Sequence, residues 1–312
     1  MPHSNLMDST AATSQKQSLI WIQSLTCNGD AHSFLNHPQL AVLLSKFEIL
    51  YHPLLPSLHT LDTILEGEIV CDILIVDGAI REQGCQRGNR EIYPLIVHYA
   101  QEASWVVTVG TCATFGGIFK EADPEVISGL CFDGEKRHVR YESYASKLIS
   151  LPGCPAHPEW IAYVLDMLHR GQNIPMDTEH RPLALYGTTV HAGCRRNEYF
   201  EWKVDTEGFG AKEGCLYYQQ GCQAPYTRGS CNQIPWNGIS SKTTVGTPCF
   251  GCTEPTFPKQ KLFRTKTHMG IPAQMPLGVP KRAYLTLTGV AKSFTIQRFK
   301  ERIICHDSQK TD

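Results

Sequence analysis

The chain has no long apolar run, no surplus of either charge and no complete C-x-x-C pair near its start. No stretch approaches the ~18 apolar residues that cross a bilayer, so a membrane-spanning protein is not expected. Its 29 Lys and Arg stand against 30 Asp and Glu, a formal net charge of −1. That balance removes the electrostatic case for nucleic acid or an anionic membrane as partner. Met1 to Ser18 is polar and carries neither the twin arginine nor the apolar core of an export signal. Residues 1–17 read as a disordered tail, and the protein is expected in the cytoplasm, free or peripheral to the membrane. Thiols stay reduced there, so thirteen cysteines, an odd number, are not expected to form a disulfide framework.

What is present is an α/β pattern over the first half. Leu19-Ile20-Trp21-Ile22, Ile73-Leu74-Ile75-Val76, Trp105-Val106-Val107-Thr108-Val109 and Leu148-Ile149-Ser150-Leu151 are short apolar runs of strand type, each followed by a turn. Helix-compatible residues follow at Ala31 to Phe47, and a helix with one apolar face is expected from His157 to His169. Repeated strand–loop–helix units predict a parallel sheet covered by helices on both sides. At 312 residues the chain has room for two domains, at about 100 to 200 residues each.

Three of these strands run into a cysteine: Cys27, Cys112 and Cys154. Open parallel sheets bind ligands beyond the carboxyl ends of their strands, so the three thiols are expected to converge there. Glycines beside them let the backbone approach a bound group and donate amide hydrogen bonds to its sulfurs. A single such cysteine is more often a buried core thiol; three at equivalent strand ends are a site. Asp30 stands where Cys27-Asn28-Gly29 would be completed by a second cysteine. It reads either as a helix N-cap or as a carboxylate ligand replacing thiolate.

After Arg181-Pro182 the character changes. Leu183 to Pro258 is rich in Gly, Cys, Tyr, Trp and Asn, as expected where metal centres organise the chain. From His191 the spacing is H-x2-C-x20-C-x6-C-x8-C-x17-C-x2-C, seven donors that divide as four plus three. Cys249-Phe250-Gly251-Cys252 alone could be half of a zinc knuckle, but zinc would leave one site a ligand short.

Trp21-Ile22-Gln23 with Cys27, Gly110-Thr111-Cys112-Ala113-Thr114-Phe115-Gly116-Gly117, Pro152-Gly153-Cys154-Pro155, His191-Ala192-Gly193-Cys194 and Cys249-Phe250-Gly251-Cys252-Thr253-Glu254-Pro255 occur in an order that resembles the small, electron-transferring subunit of NiFe hydrogenases. The resemblance covers about residues 19 to 260. It implies a flavodoxin-like domain over 18–182 with a proximal cluster, then an iron–sulfur domain over 183–312 with a medial and a distal one. Carried over by motif, the proximal cluster, of 4Fe-4S type, takes Cys27, Asp30, Cys112 and Cys154. The distal 4Fe-4S cluster takes His191, Cys194, Cys215 and Cys222, and the medial 3Fe-4S cluster takes Cys231, Cys249 and Cys252. Six residues separate Cys215 from Cys222 where the family pattern has five.

The resemblance also implies that the nickel–iron centre lies in a large partner subunit and that no residue of this chain breaks bonds. The electron acceptor would be a quinone or a redox protein, and the assembly a dimer of heterodimers or larger. The positions that carry extra cysteines in oxygen-tolerant membrane-bound members correspond to Gly29 and Gly117. With Asp30, this resembles the actinobacterial-type, oxygen-insensitive uptake subgroup. The alternatives are a cytoplasmic hydrogen-sensing regulatory subunit and the cluster-bearing subunit of a respiratory dehydrogenase, which would lack the constellation from His191 to Cys252. The remaining cysteines, Cys71, Cys85, Cys131 and Cys305, are not assigned to a site, and Arg195-Arg196 is expected to be solvated.

Overall fold

Every apolar run named above becomes a strand of one sheet. The computed structural model describes residues 16–259, 261–268, 271–275 and 279–286; residues 1–15 and Cys305 lie outside them. Its main strands are β1 (Gln17–Gln23), β2 (Phe47–Tyr51), β3 (Ile73–Asp77), β4 (Trp105–Val109) and β5 (Leu148–Leu151). They pair in the order β5-β4-β3-β1-β2, and every neighbour is parallel. This is the flavodoxin-like order, with its switch point between β1 and β3.

Four helices matter for the site: α1 (Gly29–Leu35), α2 (Ile92–Glu102), α3 (Gly110–Phe115) and α4 (Pro158–His169). Alternation along the strands sends Ile20, Ile22, Leu74 and Val76 into one core, with Ile92, Ile96 and Tyr99 of α2. Leu19, Trp21, Ile73 and Ile75 enter the other, with Trp160, Ile161, Val164 and Leu165 of α4. Because helices cover both faces, the strands carry continuous apolar runs. His157 caps α4, its Nδ1 accepting the Glu159 N–H at 3.1 Å. Pro158 follows at the first helical position, where its missing N–H is no loss.

The helix-compatible stretch Ala31 to Phe47 is not helical throughout. α1 ends at Leu35, a short helix spans Leu40–Leu44, and Phe47 opens β2 at the sheet edge. Pro38 lacks an amide N–H and clashes with the preceding turn. Phe47 and Leu50 instead bury themselves on opposite faces of the sheet.

Beyond α4 regular structure is sparse: short helices at Leu183–Tyr186 and Asn197–Glu201, and single turns at Val190–Gly193 and Ala224–Tyr226. A third, small core holds Cys215, Cys222 and Cys249 beside Val190, Leu216 and Tyr217. Trp160 Nε1 donates to Ser230 Oγ at 2.9 Å across the junction. Buried Arg181 also spans it, donating to Asp177 Oδ2 at 2.7 Å and to the Thr253 carbonyl at 3.2 Å. Among the described residues no helix is long and apolar enough to cross a membrane. Cys71, Cys85 and Cys131 all belong to the first core.

Candidate cluster sites

The carboxyl end of the sheet delivers Cys27, Cys112 and Cys154 to one place. The loop after β1 is pinned by two backbone bonds between Leu25 and Ala79, at 3.1 and 2.8 Å, and by Thr26 Oγ1 donating to Asp77 Oδ1 at 2.7 Å. Cys112 lies in α3 directly after β4, and Cys154 in the loop after β5. The two meet because Thr111 N–H donates to the Gly153 carbonyl at 2.9 Å. Burial pushes the Cys154 thiol up to about 12, and Cys252, Cys112, Asp30 and Cys27 all add to the rise. Burial also lifts Cys112 to about 11, against the pull of the Ile118 and Phe119 amides. Cys27 is exposed, so this site opens at the surface.

Asp30 is not a cap. Asn28 holds the N-cap position of α1, with φ 63°. Asp30 is buried in the first turn, and its Oδ1 accepts the Ala156 N–H at 2.7 Å. Burial raises its carboxyl above the ordinary range, and Asp77 adds to this. Gly110, at φ +89°, is obligatory here because a Cβ would run into the Asp30 carboxylate. Gly117, at φ +52°, has the same role at Cys112, where a Cβ would stand 2.8 Å from Sγ.

Asp77 was not among the residues expected at the site. It is fully buried at the end of β3 and also accepts from Trp21 Nε1 at 3.3 Å and Gln23 Nε2 at 3.2 Å. Its signal in the sequence is an acidic residue closing an apolar strand, immediately before Gly78, at the switch point of the sheet.

In the second half, His191, Cys194, Cys215 and Cys222 all line one small cavity. Thr189 caps the turn that carries His191, and the Phe200 ring packs edge-on against the imidazole at 4.5 Å. Burial raises Cys215 and Cys222 to about 12, while the Tyr217 N–H donates to Cys215 Sγ at 3.4 Å. Arg196, expected to be solvated, is buried. It donates to the carbonyls of Thr243 at 2.7 Å, Gly214 at 2.8 Å, Glu213 at 3.2 Å and Ala211. Arg195 is exposed as expected.

Cys231, Cys249 and Cys252 line a second cavity of about 390 Å³ walled by Trp160, Trp236 and Phe250. Burial drives the Cys231 and Cys249 thiols upward. The three sites touch in series. The Thr111 hydroxyl donates to the Cys252 carbonyl, and the Cys249 N–H donates to Cys222 Sγ at 3.3 Å. Among the described residues no three donors close on a single metal ion. The donor chemistry fits iron–sulfur clusters: soft thiols, most of them buried or half-buried, several receiving amide N–H bonds, where bound iron would supply the missing positive charge.

A flavodoxin-like sheet with donors at its carboxyl end, joined to a thiol-rich segment around two further cavities, defines an iron–sulfur electron-transfer protein. Residues 27–168 match the family described as NADH ubiquinone oxidoreductase, 20 Kd subunit. Residues 186–264 match the C-terminal family of the NiFe/NiFeSe hydrogenase small subunit. The F420 non-reducing hydrogenase II small subunit of Methanosarcina mazei is 31% identical over 77% of this chain and 73% of its own length. A reduced, active NiFeSe hydrogenase from Desulfomicrobium baculatum aligns with a TM-score of 0.64 at 25% identity, over 81% of this chain and 100% of that one. The actinobacterial-type NiFe-hydrogenase from Ralstonia eutropha H16 shares the fold, with a TM-score of 0.70 over 96% and 92% of the two chains at 22% identity.

The chain belongs to the family of NiFe hydrogenase small subunits. It is the electron-transfer partner of a large subunit that holds the NiFe centre, and the match over residues 186–264 separates it from the respiratory dehydrogenase alternative.

Proposed function

We propose that this chain carries electrons from hydrogen oxidation in the large subunit through three iron–sulfur clusters to a quinone or redox protein, as part of an uptake enzyme of the actinobacterial type. The observation that carries this reading is the serial contact of the donors. Thr111, next to Cys112, donates its hydroxyl to the Cys252 carbonyl, and the Cys249 amide reaches Cys222. Cys27, Asp30, Cys112 and Cys154 would hold the proximal cluster, Cys231, Cys249 and Cys252 the medial, and His191, Cys194, Cys215 and Cys222 the distal.

Bound clusters supply one-electron redox chemistry. The residues of this chain hold them, exclude water and set their poise by burial and by N–H bonds to sulfur. The buried Asp30 carboxylate, beside the three proximal thiols, supports its role as the fourth ligand. With Gly29 and Gly117 in place of extra cysteines, the proximal poise would rest on that carboxylate. The same reading places the protein in the cytoplasm.

The test is electron paramagnetic resonance of the purified heterodimer at several potentials, with turnover on a quinone or dye. Three separable signals, high turnover and a proximal signal altered in Asp30→Cys are expected. Fewer than three signals sinks the three-cluster reading. Hydrogen binding without turnover favours the regulatory alternative, and an unchanged proximal signal removes Asp30 from the ligand set.

A further inference from the structure

The medial cavity has one cationic side chain among its described lining residues, and it is not a ligand. Lys242 stands at the cavity wall with Cys231, Cys249 and Cys252. Its Nζ lies 4.4 Å from the centre of the Phe250 ring, next in sequence to Cys249. The contact is a cation–π interaction that holds an otherwise exposed side chain toward the thiols. The one histidine among the described wall residues, His157, is pushed down to about 4 by burial and is neutral at ordinary pH. Asn232, Ser240, Ser241 and Thr243 contribute only dipoles. Lys242 thus faces a site that has three thiolate donors and no fourth cysteine between Cys231 and Cys249.

We propose that Lys242 is a positioning residue for electron flow: its ammonium group sets the redox poise of the medial site by stabilising the more negative, reduced state. The inference rests on the assignment of Cys231, Cys249 and Cys252 to a medial cluster. A cation beside a redox centre favours the form with one more electron, so it raises the reduction potential. Aromatic walls lower the local dielectric and strengthen the effect, whereas the exposure of Lys242 and salt weaken it.

The experiment is a potentiometric titration of the heterodimer followed by electron paramagnetic resonance, with wild type, Lys242→Met, Lys242→Gln and Lys242→Arg. At the wild-type medial midpoint, Lys242→Met and Lys242→Gln are expected to lower the ratio of reduced to oxidised medial centre by about five- to tenfold. A tenfold change corresponds to about 59 mV for one electron. Lys242→Arg keeps the charge and is expected to stay within about twofold of wild type, with proximal and distal midpoints unmoved in all three variants. A medial midpoint unchanged in either neutral variant overturns the proposal. So does an equal shift of all three centres, or a shift in Lys242→Arg as large as in Lys242→Met. A wild-type heterodimer with no separate medial signal overturns the underlying cluster assignment instead, which distinguishes the two failures.

Discussion

The Asp30 carboxylate accepts the Ala156 amide N–H at 2.7 Å and so ties the first turn of α1 to the loop that carries Cys154. Asp30 and Cys154, far apart in the sequence, are thereby held close together. The space around the carboxylate is closed by Gly110, which has no room for a side chain. Gly110→Ala combines a positive φ with a collision against Asp30. It is expected to destabilise the protein by about 1–3 kcal/mol and to abolish the proximal resonance while the other two survive. Denaturation and spectroscopy on the heterodimer check this, and an intact proximal signal would show that Asp30 can move without consequence.

Arg196 makes a separate demand on the distal site. Its guanidinium gathers four backbone carbonyls, three of them from Ala211 to Gly214, just before Cys215. Arg196→Met removes the guanidinium donors from these carbonyls and is expected to cost about 2–4 kcal/mol. The distal resonance should broaden or disappear first. Arg196→Lys should recover little, because an ammonium cannot reproduce the planar fork. A sharp, unshifted distal signal in Arg196→Met would falsify the positioning role.

His52 predicts an acid-side loss of stability. Its Nδ1 accepts the Leu54 N–H at 3.0 Å, its ring lies edge-on to Trp21 at 4.8 Å, and burial lowers its pKa to about 4. Unfolded, it would titrate near about 6.5. Between these values the unfolded chain binds more protons than the folded one, so stability rises with pH through this window. The contribution is complete above about pH 6.5 and is lost as pH falls toward about 4. Acidifying from about pH 7.5 to about pH 5.5 should therefore remove about 1.4 kcal/mol on account of His52. His52→Gln should flatten the slope by that amount in denaturant titrations. An identical slope in the variant would mean that His52 is already protonated in the folded state.

Much of the architecture was legible because its signals are local. β1, β3, β4 and β5 are apolar on both faces, which a parallel sheet between helices requires. The helix from Pro158 announces itself by a capping residue, a proline and one apolar face. β2 was hidden, since Phe47–Tyr51 alternates weakly and follows helix-compatible residues; only its pairing with β1 selects it. Asp77 and Arg196 were hidden for a related reason. An acid after a strand and an arginine after a cysteine look solvated until distant backbone closes over them.

The sequence by itself determined the kind of candidate donors and their spacing, because thiol, imidazole and carboxylate chemistry is carried by residue type. Folding decided which of them meet. Cys27, Cys112 and Cys154 become neighbours through the strand order, and the three sites come into series through single contacts, Thr111 with Cys252 and Cys249 with Cys222. It also decided what the Asp30 carboxylate faces, which removes the cap reading. Its partner is Ala156, more than a hundred residues away in the chain, and no local pattern could have named it.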